Sequence, residues 1–553
     1  MLWQAWQADY GPEPETAKTE TASATLKADV PESLNAHSQS GETEQNKQFV
    51  AASPESKVVE SSKIITVKTD VYNLEIDTIG GTLRNLDLLA YPVEKENKIV
   101  NKLRATLGFE PEQKNLKPIR LLDGSAERLF LAQSGLIASR GSELLPNHHT
   151  EFQVDKENFQ LDPDQNTLRV PLVWRDGKGM KVIKTYIFTR GSNLITLQQK
   201  VINDSDKDWT GSQYNQLLRL PYKDKKKNTF IRTYTGGVVY TNEDKYQKIK
   251  FDDMADENLN VTTKGGWSAI IQHYFASAWI PPADQENHFY TKELKNSHYV
   301  IGSYSPVVTV PANSEHIFAE ELYEGPKIQT IMEKIAPGLE LTVDYGWLTI
   351  IGKPIYWLLN KIHSLIGNWG WSILGVTLFI KTLFFKLSDV SYRSMAKMRK
   401  LQPKLKALKD RFGDDRQRFN TEMMALYKKE KVNPMGGCLP ILVQIPVFIS
   451  LYWVLIETVE LRQAPFVLWI QDLSAQDPFF VLPVLMGITM KIQQSLNPAP
   501  VDPLQAKVIK MFPVVFTVFF LFFPAGLVVY WVMNNSLSII QQWIITKNIE
   551  KED

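Results

Sequence analysis

Residues 371 to 386, WSILGVTLFIKTLFFK, are apolar almost without interruption, yet Lys381 stands well inside the run. Similar stretches lie at about 436–457, 478–494, 508–523 and 526–546, and together with 368–385 they predict five membrane-embedded helices. Several hold only about 14 to 18 residues against the roughly 20 that a straight span needs, so tilting or local thinning of the bilayer is expected. Pro524-Ala525-Gly526 alone separate the last two runs, which predicts a tight turn there.

Earlier in the chain the period is different. KIITVKTDVYNLEIDTIGGTL from residue 63 and KVIKTYIFTRGSNLITLQQKVIND from residue 181 alternate apolar and polar positions around Gly-Gly, Arg-Gly-Ser and Asn-Asp-Ser turn signals. Repeated over residues 61–330, this predicts an all-β sandwich. Residues 340–366 return to a helical period, with Trp347, Ile350, Ile351, Pro354, Ile355, Leu358, Leu359, Ile362, Leu365 and Ile366 on one side and Lys353, Asn360, Lys361 and Ser364 opposite. Just before a hydrophobic run, such a stripe predicts an amphipathic helix in the headgroup plane. Residues 11–60 are rich in Glu, Thr, Ser, Ala and Lys and nearly free of aromatics, the composition of a tether. MLWQAWQADY at 1–10 reads as the end of a membrane helix whose start lies upstream.

Charge orients this arrangement. The overall balance of +1 discriminates nothing, but residues 386–433 hold 14 Lys or Arg against 6 Asp or Glu, which places that segment on the cytoplasmic side. Alternation then puts the β-domain outside, and the tail at 547–553 inside. The basic segment reads as a hairpin of two helices broken near Gly413-Asp414-Asp415, with Met395, Met398, Arg399, Met423 and Met424 offering adaptable contacts to headgroups, ribosomal RNA or acidic protein. Cys438, the single cysteine, excludes an intramolecular disulfide and reads as a packing residue.

Polar residues inside the apolar half are the candidate chemistry. Tyr530, Asn534, Ser538 and Gln541 fall within about 80° of arc at 100° per residue, making a polar stripe on the last helix. Thr377 lies one turn before Lys381, and Gln444, Thr489 and Gln493 add polar groups on the second and third helices. Hydrogen bonding between helices accounts for a polar stripe, and snorkelling accounts for a lysine about 7 to 8 Å from a helix end. Snorkelling is the preferred reading of Lys381 taken alone, but hydrogen bonding between helices does not explain a cation added to a polar face without a buried acidic partner, and the combination suggests a wet cavity awaiting an anionic group from elsewhere. In the β-half no nucleophile elbow, phosphate-cradling loop or metal-ligand cluster is apparent, and His148-His149 reads as a solvated turn.

The blocks SYRSMAKMRKLQPK, GDDRQRFNTEMMALYKKEKVNPMGGCLPILVQIPVFISLYW, VELRQAPFVLWIQDLSAQDPFFVLPVLMG and FPAGLVVYWVMNNSLSIIQQ resemble the Oxa/Alb/YidC superfamily of membrane protein insertases in its Gram-negative form. The resemblance implies a multi-domain chain: a periplasmic β-supersandwich, an interfacial helix, and a polytopic α-helical core at 368–546 around a hydrophilic groove. Lys381 stands where the family usually has arginine, keeping the charge without the planar fork. Thr377, Tyr530 and Trp531 match the groove threonine and aromatics, whereas TKNIEKED replaces the usual basic tail. Implied partners are nascent membrane proteins, the Sec translocon, the ribosome and signal recognition particle pathway, and membrane lipids, with no specific nucleic acid sequence and a monomer as the working unit. No catalytic residue, metal or cofactor is expected. A secondary transporter with a periplasmic binding domain is the main alternative, although paired hydrophobic halves and a carboxylate relay are not evident. A carbohydrate enzyme or binder would need carboxylates converging in a cleft of the β-domain.

Overall fold

The computed structural model describes residues 29–31, 62–110, 114–138, 145–222, 233–412, 415–430, 432, 439–497 and 503–551. The suspected anchor remnant at 1–10, nearly all of the tether, Cys438 and the end of the tail lie outside these. Two compact units emerge: residues 1–94, 115–227 and 232–342 in the first, and 95–114, 228–231 and 343–553 in the second.

The first unit is built on two sheets, of 11 and 8 strands among the described residues. Leu194–Asn203 buries every second residue, as its alternation predicts for a strand with one face inward. Trp209–Arg219 is buried almost throughout, so the period-two signal is lost there. In the larger sheet it pairs antiparallel with Phe130–Ala138 and His298–Tyr304. In the smaller sheet Ser314–Pro326 lies between Leu194–Asn203 and Phe275–Ile280. Two fully buried indoles are tied to main chain, Trp279 Nε1 to Gln216 O at 3.2 Å and Trp267 Nε1 to Pro337 O at 3.0 Å. Pairing the N–H avoids the cost of burying a lone donor.

Polar side chains are also buried between the strands. Gln133, Gln199, Asn203, Asn215, Gln216, Glu320 and Glu324 are each at most 6 % exposed. Lys184 is fully buried, its ammonium donating to Gly80 O at 2.6 Å and Ser134 O at 2.8 Å. Burial pushes its pKa down to about 7 and that of Glu320 up to about 8, because each charge loses water.

In the chain's helices, α1 (Lys98–Thr106) belongs to the second unit, while α2 (Phe251–Asp256) and α3 (Gln329–Ile335) belong to the first. The second unit continues with α4 (Thr349–Ile366), α5 (Trp369–Leu383), α6 (Phe385–Lys400), α7 (Gln402–Phe412), α8 (Arg416–Lys429), α9 (Leu439–Glu457), α10 (Val481–Leu496), α11 (Pro503–Phe520) and α12 (Ala525–Lys551). Gly367, at φ +72°, ends α4 with its N–H on His363 O, and the Asn368 side chain caps α5 by accepting from Trp371 N at 3.1 Å. The apolar stripe of α4 divides: Ile355 and Leu359 are buried, whereas Trp347, just before the helix, Ile350, Trp357 and Leu365 are more than half exposed.

Three expectations change at this level. The basic segment forms three helices rather than two, because α6 and α7 are separated at Leu401, and Pro403 lies in the first turn of α7, where its missing N–H costs nothing. The turn before the last helix comprises Leu521 to Pro524, and α12 already begins at Ala525. Ala525 N and Gly526 N donate to Ala475 O and Leu473 O, so the loop at 473–475 satisfies N–H groups that the first turn leaves open. Among the described residues no helix is long and apolar enough to cross a membrane. Helices α5 and α10 have 15 and 16 residues, and the 27 residues of α12 are interrupted by Asn534, Asn535, Ser536, Ser538, Gln541 and Gln542.

Candidate functional site

In the second unit, α5, α6, α9, α10 and α12 surround a cavity of about 260 Å³. Lys381 Nζ donates to Ser538 Oγ at 2.7 Å, and Ser538 Oγ donates back along its own helix to Asn534 O. The Asn534 side-chain oxygen accepts from Gln444 Nε2 at 3.1 Å. The polar stripe of α12 thus faces the cation of α5 and the amide of α9. Phe448 covers this group from α9, its ring stacked on Tyr530 at 5.9 Å and tilted against Trp531 at 4.8 Å.

Lys381, Gln444, Tyr530, Trp531, Asn534 and Ser538 line the cavity together, and Gln493 and Met395 join them. Among the described residues no Asp or Glu lines the cavity. Thr377 is not in the lining; it is buried, its hydroxyl donating to Ile373 O one turn back. Gln541 turns aside and donates to Phe385 O at 3.3 Å. On the basic helices Met398 and Met423 are half-buried, while Arg399 and Met424 are exposed.

Several lining residues carry no weight in the stripe argument. Ser388 and Ser391 come from α6, Asn497 follows α10, and Asn535 belongs to a second face of α12. Asn535 donates to Thr489 Oγ1 at 3.4 Å, and Gln542, seven residues on, donates to Asn497 Oδ1 at 3.0 Å. That seven-residue repeat is a visible signal of a helix with two polar faces.

The β-domain holds two further polar sites. A cavity of about 480 Å³ is lined by Glu320, Glu321 and the stacked rings of Tyr240 and Trp267. Burial raises the Glu320 pKa to about 8, which favours its protonated form. The second site corrects the solvated-turn reading for His148, while His149 stays exposed in the turn. His148 is 3 % exposed, its Nδ1 lies 2.5 Å from Tyr214 Oη and its Nε2 lies 2.9 Å from Asp29. His149 Nε2 is 2.9 Å from the other oxygen of the same carboxylate. Asp29 stands 119 positions earlier in the chain, so neighbouring sequence could not reveal the contact.

A β-sandwich followed by a helical unit is the two-part arrangement that the resemblance to membrane protein insertases implies. Comparison with known proteins agrees. The family model described as "YidC periplasmic domain" matches residues 64–358, and that described as "60Kd inner membrane protein" matches 361–552. A membrane protein insertase YidC of Methylococcus capsulatus is 54 % identical over 551 residues, covering 100 % of this chain and 96 % of the relative. The corresponding protein of Thioalkalivibrio sulfidiphilus is 49 % identical over the same shares. A crystal structure of an active YidC insertase with its first transmembrane domain resolved covers 88 % of this chain and 93 % of its own, at 17 % identity and a TM-score of 0.37. On the family models and the whole-length relatives, the chain belongs to the YidC family of membrane protein insertases.

Proposed function

We propose that the Lys381 cavity is the groove through which this insertase receives hydrophilic segments of nascent membrane proteins before their apolar helices pass into lipid. One observation carries this reading: a nearly buried ammonium whose described partner is a neutral hydroxyl, in a cavity to which the described residues contribute no carboxylate. A lysine near the centre of a bilayer costs about 2.5–3.5 kcal/mol on insertion scales, which an incoming acidic group would offset. No nucleotide is needed, because burial of the substrate's apolar helix supplies the driving force, and the membrane potential adds to it for acidic segments.

In this reading α5, α9, α10, α11 and α12 are embedded in a locally thinned bilayer, with α4 lying in the interface. The Trp347, Ile350, Trp357 and Leu365 side chains that α4 and its approach leave uncovered fit that position. The basic helices α6 to α8 then face the cytoplasm, where they meet anionic headgroups or the ribosome, and the sandwich faces the periplasm. The insertase works alone or beside the Sec translocon.

Site-specific photo-crosslinking from positions 381, 444 and 531 during synthesis of a single-span substrate tests the groove. Adducts are expected while the hydrophilic segment is in transit and should vanish once the span is released. Absence of adducts at all three positions, in a chain that still inserts substrate, would refute the groove while leaving the family membership intact.

A further inference from the structure

The Asp29–His148–His149 cluster lies in the β-domain, and neither the fold of the sandwich nor the insertase reading accounts for it. Its three side chains place their ligand-capable atoms within 4.8 Å of one another. Both imidazoles present Nε2 to a single carboxylate, one to each oxygen, at 2.9 Å. Tetrahedral ligands about 2.0–2.2 Å from one ion stand roughly 3.3–3.6 Å apart, so both imidazole–carboxylate contacts need open by only about half an ångström to admit an ion between them.

The surroundings fix this geometry in advance. Tyr214 Oη lies 2.5 Å from His148 Nδ1 and accepts from His148 N at 3.1 Å, which orients the ring and leaves Nε2 directed at Asp29. An outer-shell hydrogen bond on the far ring nitrogen is the usual companion of a metal-bound histidine. The Asn147 side chain accepts from His149 N at 2.9 Å and holds the turn that carries both rings. Gly80, at φ +73°, and Gly135 allow the close seating, since a Cβ on either would come within 3 Å of His148 or Asn147 backbone atoms. Tyr214 and His148 are buried, whereas His149 is partly open to solvent and leaves room for a water on the ion.

We infer that Asp29, His148 and His149 form a binding site for one divalent first-row transition metal ion of the zinc class, held by two imidazoles, the carboxylate and solvent. Imidazole nitrogens with one carboxylate select zinc, nickel or copper over magnesium or calcium, which take oxygen ligands. The ion would cross-link residue 29 to the turn at 148–149 across some 120 positions of chain. The alternative is an ordinary His–Asp–His ion pair that makes the same link without metal.

Zinc itself is the probe, and the full-length chain in detergent is the sample. After loading and dialysis against a weak chelator, elemental analysis should find one zinc per chain in the wild type and none in His149→Ala or Asp29→Asn. The conservative Tyr214→Phe variant should keep the site but bind about 10- to 100-fold more weakly, as expected for loss of an outer-shell partner. Cobalt in place of zinc should give visible ligand-field bands that both ligand variants lose, a readout independent of insertion. The remaining six histidines of the chain serve as the internal control. Zinc retained equally by the wild type and both ligand variants belongs elsewhere, and zinc retained by none of them leaves only the ion pair; either result overturns the site.

Discussion

Both units of this protein bury lysine, and the burials of Lys184 and Lys381 differ in kind. Lys184 in the sandwich has no exposed surface and gives its ammonium to two backbone carbonyls, at 2.6 and 2.8 Å, beneath the ring of Phe152. Lys381 in the helical unit keeps about 9 % of its surface, gives one described hydrogen bond to a serine hydroxyl, and borders a cavity. An ammonium has three protons to donate. Lys184 commits two to fixed main-chain acceptors, which makes it part of the scaffold, while Lys381 keeps capacity toward open space. The contrast teaches that depth alone does not mark a functional cation; the number of fixed partners and the adjoining space do.

The sharpest way to break this comparison is to remove the sandwich lysine. Lys184→Met keeps the length of the side chain but leaves the carbonyls of Gly80 and Ser134 unpaired, and is expected to destabilise the first unit by about 2–4 kcal/mol. Calorimetric unfolding of the purified chain measures this, with insertion largely retained well below the transition. A loss under about 0.5 kcal/mol would mean that the two lysines do not differ in the way described.

The sandwich also neutralises its buried charges by pKa, and this gives a pH signature. Glu320 has its folded pKa raised from the ordinary 4.5 to about 8, because burial strips water from the carboxylate. Its contribution to stability is therefore fully present below about pH 4.5 and is lost as pH rises through 8. Glu324, raised in the same direction, adds to the trend, and Lys184, lowered to about 7, acts against it above that pH. Glu320→Gln should flatten the decline in melting temperature of the first unit between pH 5 and 8, removing an effect on the order of a few kcal/mol. A wild-type curve already flat over that range would contradict a neutral Glu320.

How far sequence could reach differs between the two units in the same physical sense. The strand period of Leu194–Asn203 is legible because one face meets solvent, but Gln199 and Asn203 occupy inward positions that alternation would assign to apolar residues. Asn203 is satisfied there by the carbonyls of Lys207, Val310 and Pro311, partners that no local pattern shows. In the helical unit the stripe through Tyr530, Asn534 and Ser538 was readable because a helix fixes which residues share a face, and the structure sets it against Lys381. Thr377 lies one turn from that lysine yet bonds its own backbone, since a threonine in a helix has the carbonyl four residues back within reach. The His148–Asp29 contact was illegible because it joins two local segments that carry no shared period.

The groove lysine gives the complementary experiment, smaller in energy but specific in kind. Lys381→Ala should change the unfolding free energy by less than about 1 kcal/mol, since one hydrogen bond to a hydroxyl is lost. It should slow insertion of a substrate with an acidic translocated segment about tenfold, equivalent to about 1.4 kcal/mol, and affect a neutral segment much less. Lys381→Arg should restore most of the rate by restoring the charge. Equal defects with acidic and neutral segments, measured side by side in reconstituted vesicles, would remove electrostatics from the explanation.

The smallest expected effect separates the cation from the pair it forms with Ser538. Ser538→Ala deletes the hydroxyl that accepts from Lys381 Nζ and leaves the ammonium free to turn toward the cavity. If the positive charge is what the acidic segment meets, insertion should fall by no more than about two- to threefold, the scale of one net hydrogen bond. The double variant Lys381→Ala/Ser538→Ala should then be no slower than Lys381→Ala alone, because the contact between serine and ammonium is already gone. Neighbours that act through one contact depart from additivity in this way, whereas independent contributions would multiply. A Ser538→Ala defect as deep as that of Lys381→Ala would instead make the lysine–serine pair the working unit, and the difference between Lys381 and Lys184 would narrow to the identity of their acceptors.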